Sequence, residues 1–425
     1  MEQTPKANRV HIGFFGRCNA GKSTLINMLT DQPVSLVSEV AGTTTDPVSK
    51  SMEILPLGPV VITDTAGIDD TSELGALRIE KSEEIIKKIN LAVYVLRNDE
   101  APTADDMMWL NKLKQNNVPI ALFINKINAF DSESARDNDS NGNDTNLNYV
   151  DAYPDLSAIA TVVGSTDFTS NRDRLTLLDL LGGLTPLDVE GEQSLLQGLV
   201  DPGDTIILVC PIDSAAPKGR LILPQVQTIR EILDHKGLAL VCQTEELPTM
   251  LSKLSQKPKL VITDSQAFEA VNALTPADIA LTSFSILMAR FKGKLQDLVT
   301  GVKALNNLKP GARVLISEGC THRRQCDDIG TVKIPMWLKK KGHTDLQLEF
   351  TSGGAFPKDV IGYDLIIHCG ACMLTRREVL RRIDCAVVQG TPIVNYGVLI
   401  ASLHGILERA ISPFVDELDR KGFEC

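Results

Sequence analysis

Val10-His11-Ile12-Gly13-Phe14-Phe15-Gly16-Arg17-Cys18-Asn19-Ala20-Gly21-Lys22-Ser23-Thr24-Leu25-Ile26-Asn27-Met28-Leu29 reads as a strand, a glycine-bounded loop and a helix. The pattern G-x-x-x-x-G-K-S in strand-loop-helix context is a phosphate-cradling P-loop, which places the chain in the α/β class. Gly16 and Gly21 let the loop turn tightly, so that the backbone N–H groups of Asn19, Ala20, Gly21, Lys22, Ser23 and Thr24 can wrap the α- and β-phosphates. The helix N-terminus adds its dipole. Lys22 reaches the β/γ oxygens, and the Ser23 hydroxyl takes a Mg²⁺ ion.

Reading outward, Val60-Val61-Ile62-Thr63 is a second buried strand, and it ends in Asp64-Thr65-Ala66-Gly67. Asp64 is expected to hold Mg²⁺ through water, and the Gly67 N–H to sense a γ-phosphate. Between the two strands, Gly42-Thr43-Thr44-Thr45-Asp46-Pro47 is a polar loop able to put a hydroxyl on the metal. Thr44 is the first choice, with Thr43 and Thr45 as near alternatives. Lys22, Thr44, Asp64 and Gly67 make up the expected catalytic set. Leu91 to Leu96 and Ile120 to Ile124 are further strands, the second followed by Asn125-Lys126-Ile127-Asn128.

That last motif resembles the guanine-reading N-K-x-D of the translation-factor-like GTPases, with Asn128 in the aspartate's place. An aspartate accepts from both N1–H and N2–H of guanine, whereas an asparagine offers one acceptor and one donor. GTP is expected, read with less discrimination through Asn125, Lys126 and Asn128. Ile68 follows Gly67 where Ras-like enzymes carry a water-orienting glutamine, so intrinsic hydrolysis is expected to be slow. Asn19 with the G-T-T-T-D loop resembles the potassium-activated GTPases related to the tRNA-modification GTPase and Era, which implies a K⁺ ion held by Asn19. Residues 131–148 are rich in Asp, Asn and Ser and read as a solvated, disordered insertion. The last nucleotide loop is expected near Gly164-Ser165-Thr166, and a closing helix over Arg174 to Leu181.

At 425 residues the chain exceeds one ordinary core, and two or three domains are expected. The 54 acidic against 43 basic residues give a net charge of −11 with no basic stripe, which argues against nucleic acid and anionic membrane as partners. No signal peptide or membrane-spanning run stands out, so a cytoplasmic protein is expected. Nine cysteines are an odd number for a disulfide framework. Cys18, Cys210 and Cys242 read as structural.

Gly182-Gly183-Leu184-Thr185-Pro186 breaks the first pattern. Strands follow at Thr205 to Cys210, Leu238 to Cys242 and Leu260 to Asp264, with a helix from Leu223 to His235. This small block carries no catalytic constellation and is assigned to dimerisation, since a sheet of that size is steadied by a second copy. Pro276 to Phe291 is expected to be helical. Val314-Leu315-Ile316 then leads to Ser317-Glu318-Gly319-Cys320-Thr321-His322, and Leu365-Ile366-Ile367 leads to His368-Cys369-Gly370-Ala371-Cys372. Both are short apolar runs ending at cysteines, and the carboxyl ends of parallel strands line ligand crevices. Cys320, Cys369 and Cys372 can therefore meet at one centre. Three thiolates beside imidazole suit an iron–sulfur cluster or zinc, with one position left for a weaker group.

The P-loop with Asn19, the block Asp201-Pro202-Gly203-Asp204-Thr205 followed by Ala216-Pro217-Lys218-Gly219-Arg220, and the terminal C-x-H and H-C-x-x-C together resemble the HydF family, the maturation GTPases of [FeFe]-hydrogenase. The resemblance implies an α/β protein of three domains. These are a P-loop GTPase domain (1–185), a small α/β dimerisation domain (186–272) and an α/β iron–sulfur cluster-binding domain (273–425). It implies a homodimer or larger assembly and a [4Fe–4S] cluster on Cys320, Cys369 and Cys372. His322 and His368 would be fourth ligand or second shell. It further implies a transient diiron precursor received from two radical-SAM maturases and passed to apo-hydrogenase. Two alternatives stand beside it, a zinc-stabilised GTPase and a tRNA-modification or ribosome-associated potassium-activated GTPase.

Overall fold

The structure is a computed structural model that describes residues 9–30, 48–54, 57–65, 82–125, 153–166, 171–184, 194–212, 221–319, 328–353 and 355–418. The chain forms two compact units, Met1–Gly191 and Glu192–Cys425.

The first unit is built on a six-stranded sheet in the order β2-β3-β1-β4-β5-β6. Its strands are β1 (Val10–Phe15), β2 (Val48–Ile54), β3 (Gly58–Asp64), β4 (Leu91–Arg97), β5 (Ile120–Asn125) and β6 (Thr161–Thr166), with helices α1 (Lys22–Thr30), α2 (Ala104–Gln115) and α3 (Asn171–Leu184). Side chains alternate across a strand, so neighbours in β1 serve opposite layers. Phe14 packs with Leu25, Ile26 and Leu29 of α1 and Leu177, Leu178 and Leu181 of α3. Phe15 packs with Trp109, Leu110 and Leu113 of α2. Two covered faces are why β1, β3, β4 and β5 read as unbroken apolar runs.

Two elements differ from expectation. Strand β2 pairs antiparallel with β3 at the sheet edge, and its polar alternation, Ser49-Lys50-Ser51-Met52-Glu53, hid it among loop residues. Gly164-Ser165-Thr166 is strand rather than nucleotide loop: it pairs with Phe123, Ile124 and Asn125 after a register shift at Leu122/Phe123. The shift inserts the extra residue that lets the strand run past its apolar core. The insertion at 131–148 lies outside the described residues.

The second unit holds two four-stranded parallel sheets. The first, in the order β10-β9-β7-β8, comprises β7 (Thr205–Val209), β8 (Leu238–Cys242), β9 (Leu260–Thr263) and β10 (Ala280–Ser283), with helix α4 (Leu223–Asp234) between β7 and β8. The second runs β12-β11-β13-β14 and comprises β11 (Arg313–Glu318), β12 (Gln347–Ser352), β13 (Leu365–His368) and β14 (Ile393–Asn395). Helices α5 (Phe284–Lys292), α6 (Arg376–Val388), α7 (Tyr396–Leu403) and α8 (Leu407–Ile411) complete the parts used below. One core joins the two sheets, running from Ile206, Ile262 and Leu281 through Phe284 and Leu287 to Ile316, Ile367 and Leu399.

The helix expected over Pro276 to Phe291 is half strand. Ala280-Leu281-Thr282-Ser283 is buried on the sheet, and Ser283 then caps α5 by accepting the Ile286 N–H. A four-residue apolar run is too short for periodicity to separate strand from helix. Strand β10 lies past residue 272, so the sheet of the middle block continues into the segment assigned to the third domain. Cys210 is buried as a structural thiol should be, whereas Cys18 is exposed on the P-loop. No helix among the described residues is long and apolar enough to cross a membrane.

Candidate functional site

The P-loop leaves the C-terminal end of β1 against β4. Gly16 sits at φ +137°, and a Cβ there would lie 2.5 Å from Val95 O, so no other residue fits. Gly21 (φ +102°) and Asn19 (φ +59°) complete the tight turn. Asn19 is among the residues that tolerate this left-handed geometry. Lys22 opens α1, and its Nζ donates to Gly16 O at 2.8 Å and Arg17 O at 2.7 Å, folding the ammonium over the loop. Ser23 and Thr24 are exposed in the first turn of the helix. Asn125, at the end of β5, donates to Ala20 O at 3.0 Å and ties that strand to the loop.

Asp64 ends β3 directly beside β1, paired with Phe14. Its Oδ1 is buried with no hydrogen-bond partner, and burial holds its carboxyl above the usual range, with Lys22 opposing. An unpartnered buried carboxylate oxygen beside a phosphate loop fits a hard cation such as Mg²⁺. Thr44, Gly67, Lys126 and Asn128 lie outside the described residues, as do Thr43, Thr45 and Ile68.

One group at this site escaped the sequence reading. Arg17 pairs with Glu100 at 2.7 Å and with the fully buried Asp106 at 3.4 Å. Asp106 in turn accepts from Tyr94 OH at 2.9 Å and caps α2 together with Thr103. Burial, then the neighbouring Asp106 charge, pushes the Tyr94 phenol well above its ordinary value. A tyrosine inside an apolar strand needs a polar partner, and that was the available signal.

The second candidate site lies at the C-terminal ends of β11 and β13, which are adjacent and paired, Ser317 opposite His368. Cys369 Sγ accepts the Gly319 N–H at 3.0 Å and the Ala371 N–H at 3.3 Å. Ala371 holds φ +55° at the turn between the two cysteines. Lys292 Nζ, buried, donates to Ala371 O at 3.3 Å, Cys372 O at 3.1 Å and Leu374 O at 2.8 Å. Burial pushes the Cys369 thiol up to about 11 and raises Cys372 as well, Lys292 opposing in the latter. Burial also lowers Lys292 to about 8, against the pull of Cys372 and Cys369.

His368 is buried with both ring nitrogens engaged. Arg382 Nη1 stands 3.2 Å from Nε2, and Nδ1 stands 2.9 Å from Cys369 O. Arginine only donates, so Nε2 is the acceptor and the proton sits on Nδ1. Burial and then Arg382 lower this imidazole to about 4. Arg382 is itself held by Glu378 Oε1 at 2.7 Å and Gly353 O at 2.6 Å. Among the described residues no three His, Cys, Asp or Glu side chains converge as a metal site, and Cys320 and His322 lie outside them.

Three family models match successive parts of the chain. Residues 11–126 match a 50S ribosome-binding GTPase, residues 195–293 the hydrogen maturase F dimerization domain, and residues 296–413 the hydrogen maturase F tetramerization domain. The tRNA modification GTPase MnmE of Heliobacterium modesticaldum is 36% identical over 112 residues, 26% of this chain and 23% of that protein. GTPase Der of Campylobacter curvus is 34% identical over 114 residues, 27% of this chain and 24% of that protein. The chain thus spans about a quarter of the length of these curated relatives. Among solved structures, Era in complex with MgGDPNP and 16S ribosomal RNA is similar at 19% identity and a TM-score of 0.33, covering 55% of this chain and 93% of that one. With a GTPase domain followed by both maturase-specific domains in order, the chain belongs to the hydrogen maturase F (HydF) family.

Proposed function

We propose that this chain is a GTP-hydrolysing scaffold that carries a [4Fe–4S] cluster on Cys320, Cys369 and Cys372, receives a diiron precursor from two radical-SAM maturases, and hands it to apo-[FeFe]-hydrogenase. The observation that carries the cluster half is the Gly319 N–H on Cys369 Sγ at 3.0 Å. Gly319 directly precedes Cys320 in the sequence, so this bond ties the end of β11, from which the first cysteine motif continues, to the second cysteine motif. The donor chemistry supports the group as well: the two backbone N–H bonds on Cys369 Sγ oppose the effect of burial and would stabilise the thiolate once a metal displaces its proton. When bound, the cluster supplies an iron with an exchangeable position, because a cubane needs four ligands and three thiolates are available.

This chain's residues then have separate tasks. Cys320, Cys369 and Cys372 hold iron. With both ring nitrogens engaged, His368 holds the Cys369 carbonyl rather than iron, and the fourth position is left to His322 or to a partner's ligand. In the first unit Lys22, Ser23 and Asp64 hold GTP and Mg²⁺, Asn19 holds K⁺, and Thr44 and Gly67 order their loops on the γ-phosphate. Asn125, Lys126 and Asn128 read the base. Nucleotide-dependent loop order biases partner docking, and hydrolysis resets it. The domain spans 1–185, 186–272 and 273–425 remain the working division, with residues 273–293 built into the middle sheet's core. The exposed Leu238 (58%) and Val241 (44%) on edge strand β8 support pairing of two copies there.

Anaerobic reconstitution followed by metal analysis and EPR tests the cluster. Wild type should turn brown with about four irons per cubane bound, and Cys369→Ser should lose that absorbance. A colourless, zinc-loaded protein would establish the zinc-stabilised alternative instead.

A further inference from the structure

Lys292 is the last residue of α5, within the segment matched by the dimerization model, yet it acts on the cysteine loop. It is 2% exposed, and its ammonium has three protons for three carbonyls of that loop, those of Ala371, Cys372 and Leu374. The loop answers in kind, since Arg376 Nε donates to Phe291 O at 3.2 Å at the end of the same helix. Further along α5, a Cβ on Gly370 would meet Ser285 Oγ at 3.3 Å, and Asn395 Nδ2 donates to Ser285 O at 2.9 Å. The loop is therefore seated on α5 at two places. No carboxylate among the described residues pairs with Lys292, although an isolated buried ammonium is costly. The groups whose charge acts on it are the sulfurs of Cys369 and Cys372, which become negative once a metal displaces their protons.

We propose that Lys292 is the positioning residue and buried counter-charge of the metal centre. Its three hydrogen bonds hold the C-x-x-C loop in its ligating shape, and its positive charge offsets the negative charge of a thiolate-bound cluster. The proposal rests on the iron–sulfur reading above. It gives the dimerization segment a direct hand in the cluster site, through one side chain.

The test uses the full chain, reconstituted anaerobically, as wild type, Lys292→Met and Lys292→Gln. Gel filtration and circular dichroism establish that each variant is folded. The readouts are iron content, the rate of iron loss to a chelator, and the midpoint potential from an EPR-monitored titration. Methionine removes both donors and charge, so Lys292→Met should lose iron about tenfold faster and shift to a more negative potential. Losing one nearby charge should disfavour the reduced cluster about tenfold, about 59 mV for a one-electron couple. Glutamine keeps two N–H donors without charge, so Lys292→Gln should show the potential shift with slower iron loss. If the methionine variant does not fold, the glutamine variant decides by its potential. Release rates within about twofold of wild type, together with potentials within about 18 mV of it, in the folded variants would overturn the proposal. A wild type that takes up no iron would overturn the cluster reading itself, a distinct outcome seen before any variant is made.

Discussion

Replacing Asp64 by asparagine should stabilise the nucleotide-free first unit and at the same time abolish its response to magnesium. Asp64 Oδ1 is buried without a partner, and burial holds its carboxyl above the usual range. A buried acceptor left unsatisfied costs more when it is charged than when it is the neutral amide oxygen of asparagine, by about 1 kcal/mol. Because the folded-state pKa is raised, the ionised form is the disfavoured one, and the cost is fully present above the folded value. It fades as pH falls toward the unfolded value of about 3.9. At neutral pH, Asp64→Asn should therefore gain about 1 kcal/mol, or about 2–4 °C for a unit of this size, and the gain should vanish in acid. Nucleotide at a hundred times its dissociation constant adds about 2.7 kcal/mol to wild type. The part of that gain that EDTA removes should be missing in the variant. Trp109 is buried in the first unit and Trp337 belongs to the second, so fluorescence of single-tryptophan versions separates the two transitions. A variant less stable than wild type without ligand, or one with an intact magnesium-dependent gain, would refute the assignment of Asp64 as a cation ligand.

Two further outcomes follow from geometry alone. Arg382→Met leaves the buried Glu378, Gly353 O and His368 Nε2 without their common donor. Breaking a buried pair from one side costs about 3–5 kcal/mol, and because Arg381 still serves Glu378 the lower end is expected, seen as an earlier denaturation midpoint of the second unit. At the β8 edge, Leu238→Asp with Val241→Lys should shift gel-filtration mass toward the monomer while leaving circular dichroism unchanged, since both side chains are already exposed. Unchanged mass would place the dimer contact elsewhere.

The parts of this fold that were legible in the sequence are those where one local requirement dominates. Val10 to Lys22 needs a buried strand, then glycines at positive φ, then a helix start, and only a few residue types meet that sequence of demands. Strands β4, β5, β7, β11 and β13 are covered on both faces and read as plain apolar runs. The parts that were not legible depend on distant neighbours. β2 is a strand because β3 offers it an edge, and β10 is a strand because β9 does, while their own residues leave the choice open. At the sites, cysteine spacing announced Cys369 and Cys372, but no local motif marks Lys292 or Arg382. Only the packing of α5 and α6 shows that both are buried and turned on the cysteine loop.

The second unit has a consequence for how its two family domains work together. The match boundary falls between residues 293 and 296, yet the hydrophobic core crosses it without interruption. Two arginines reinforce the join. Arg409, on α8, reaches the carbonyls of Thr275, Pro276 and Ile279 beside β10. Arg290, on α5, reaches Leu195 O and Gln197 O while pairing with Glu417. Close-packed interiors transmit displacement rather than absorb it. The packed core is thus continuous from the β7–β10 sheet through α5, whose last residue, Lys292, holds the Cys369–Leu374 loop.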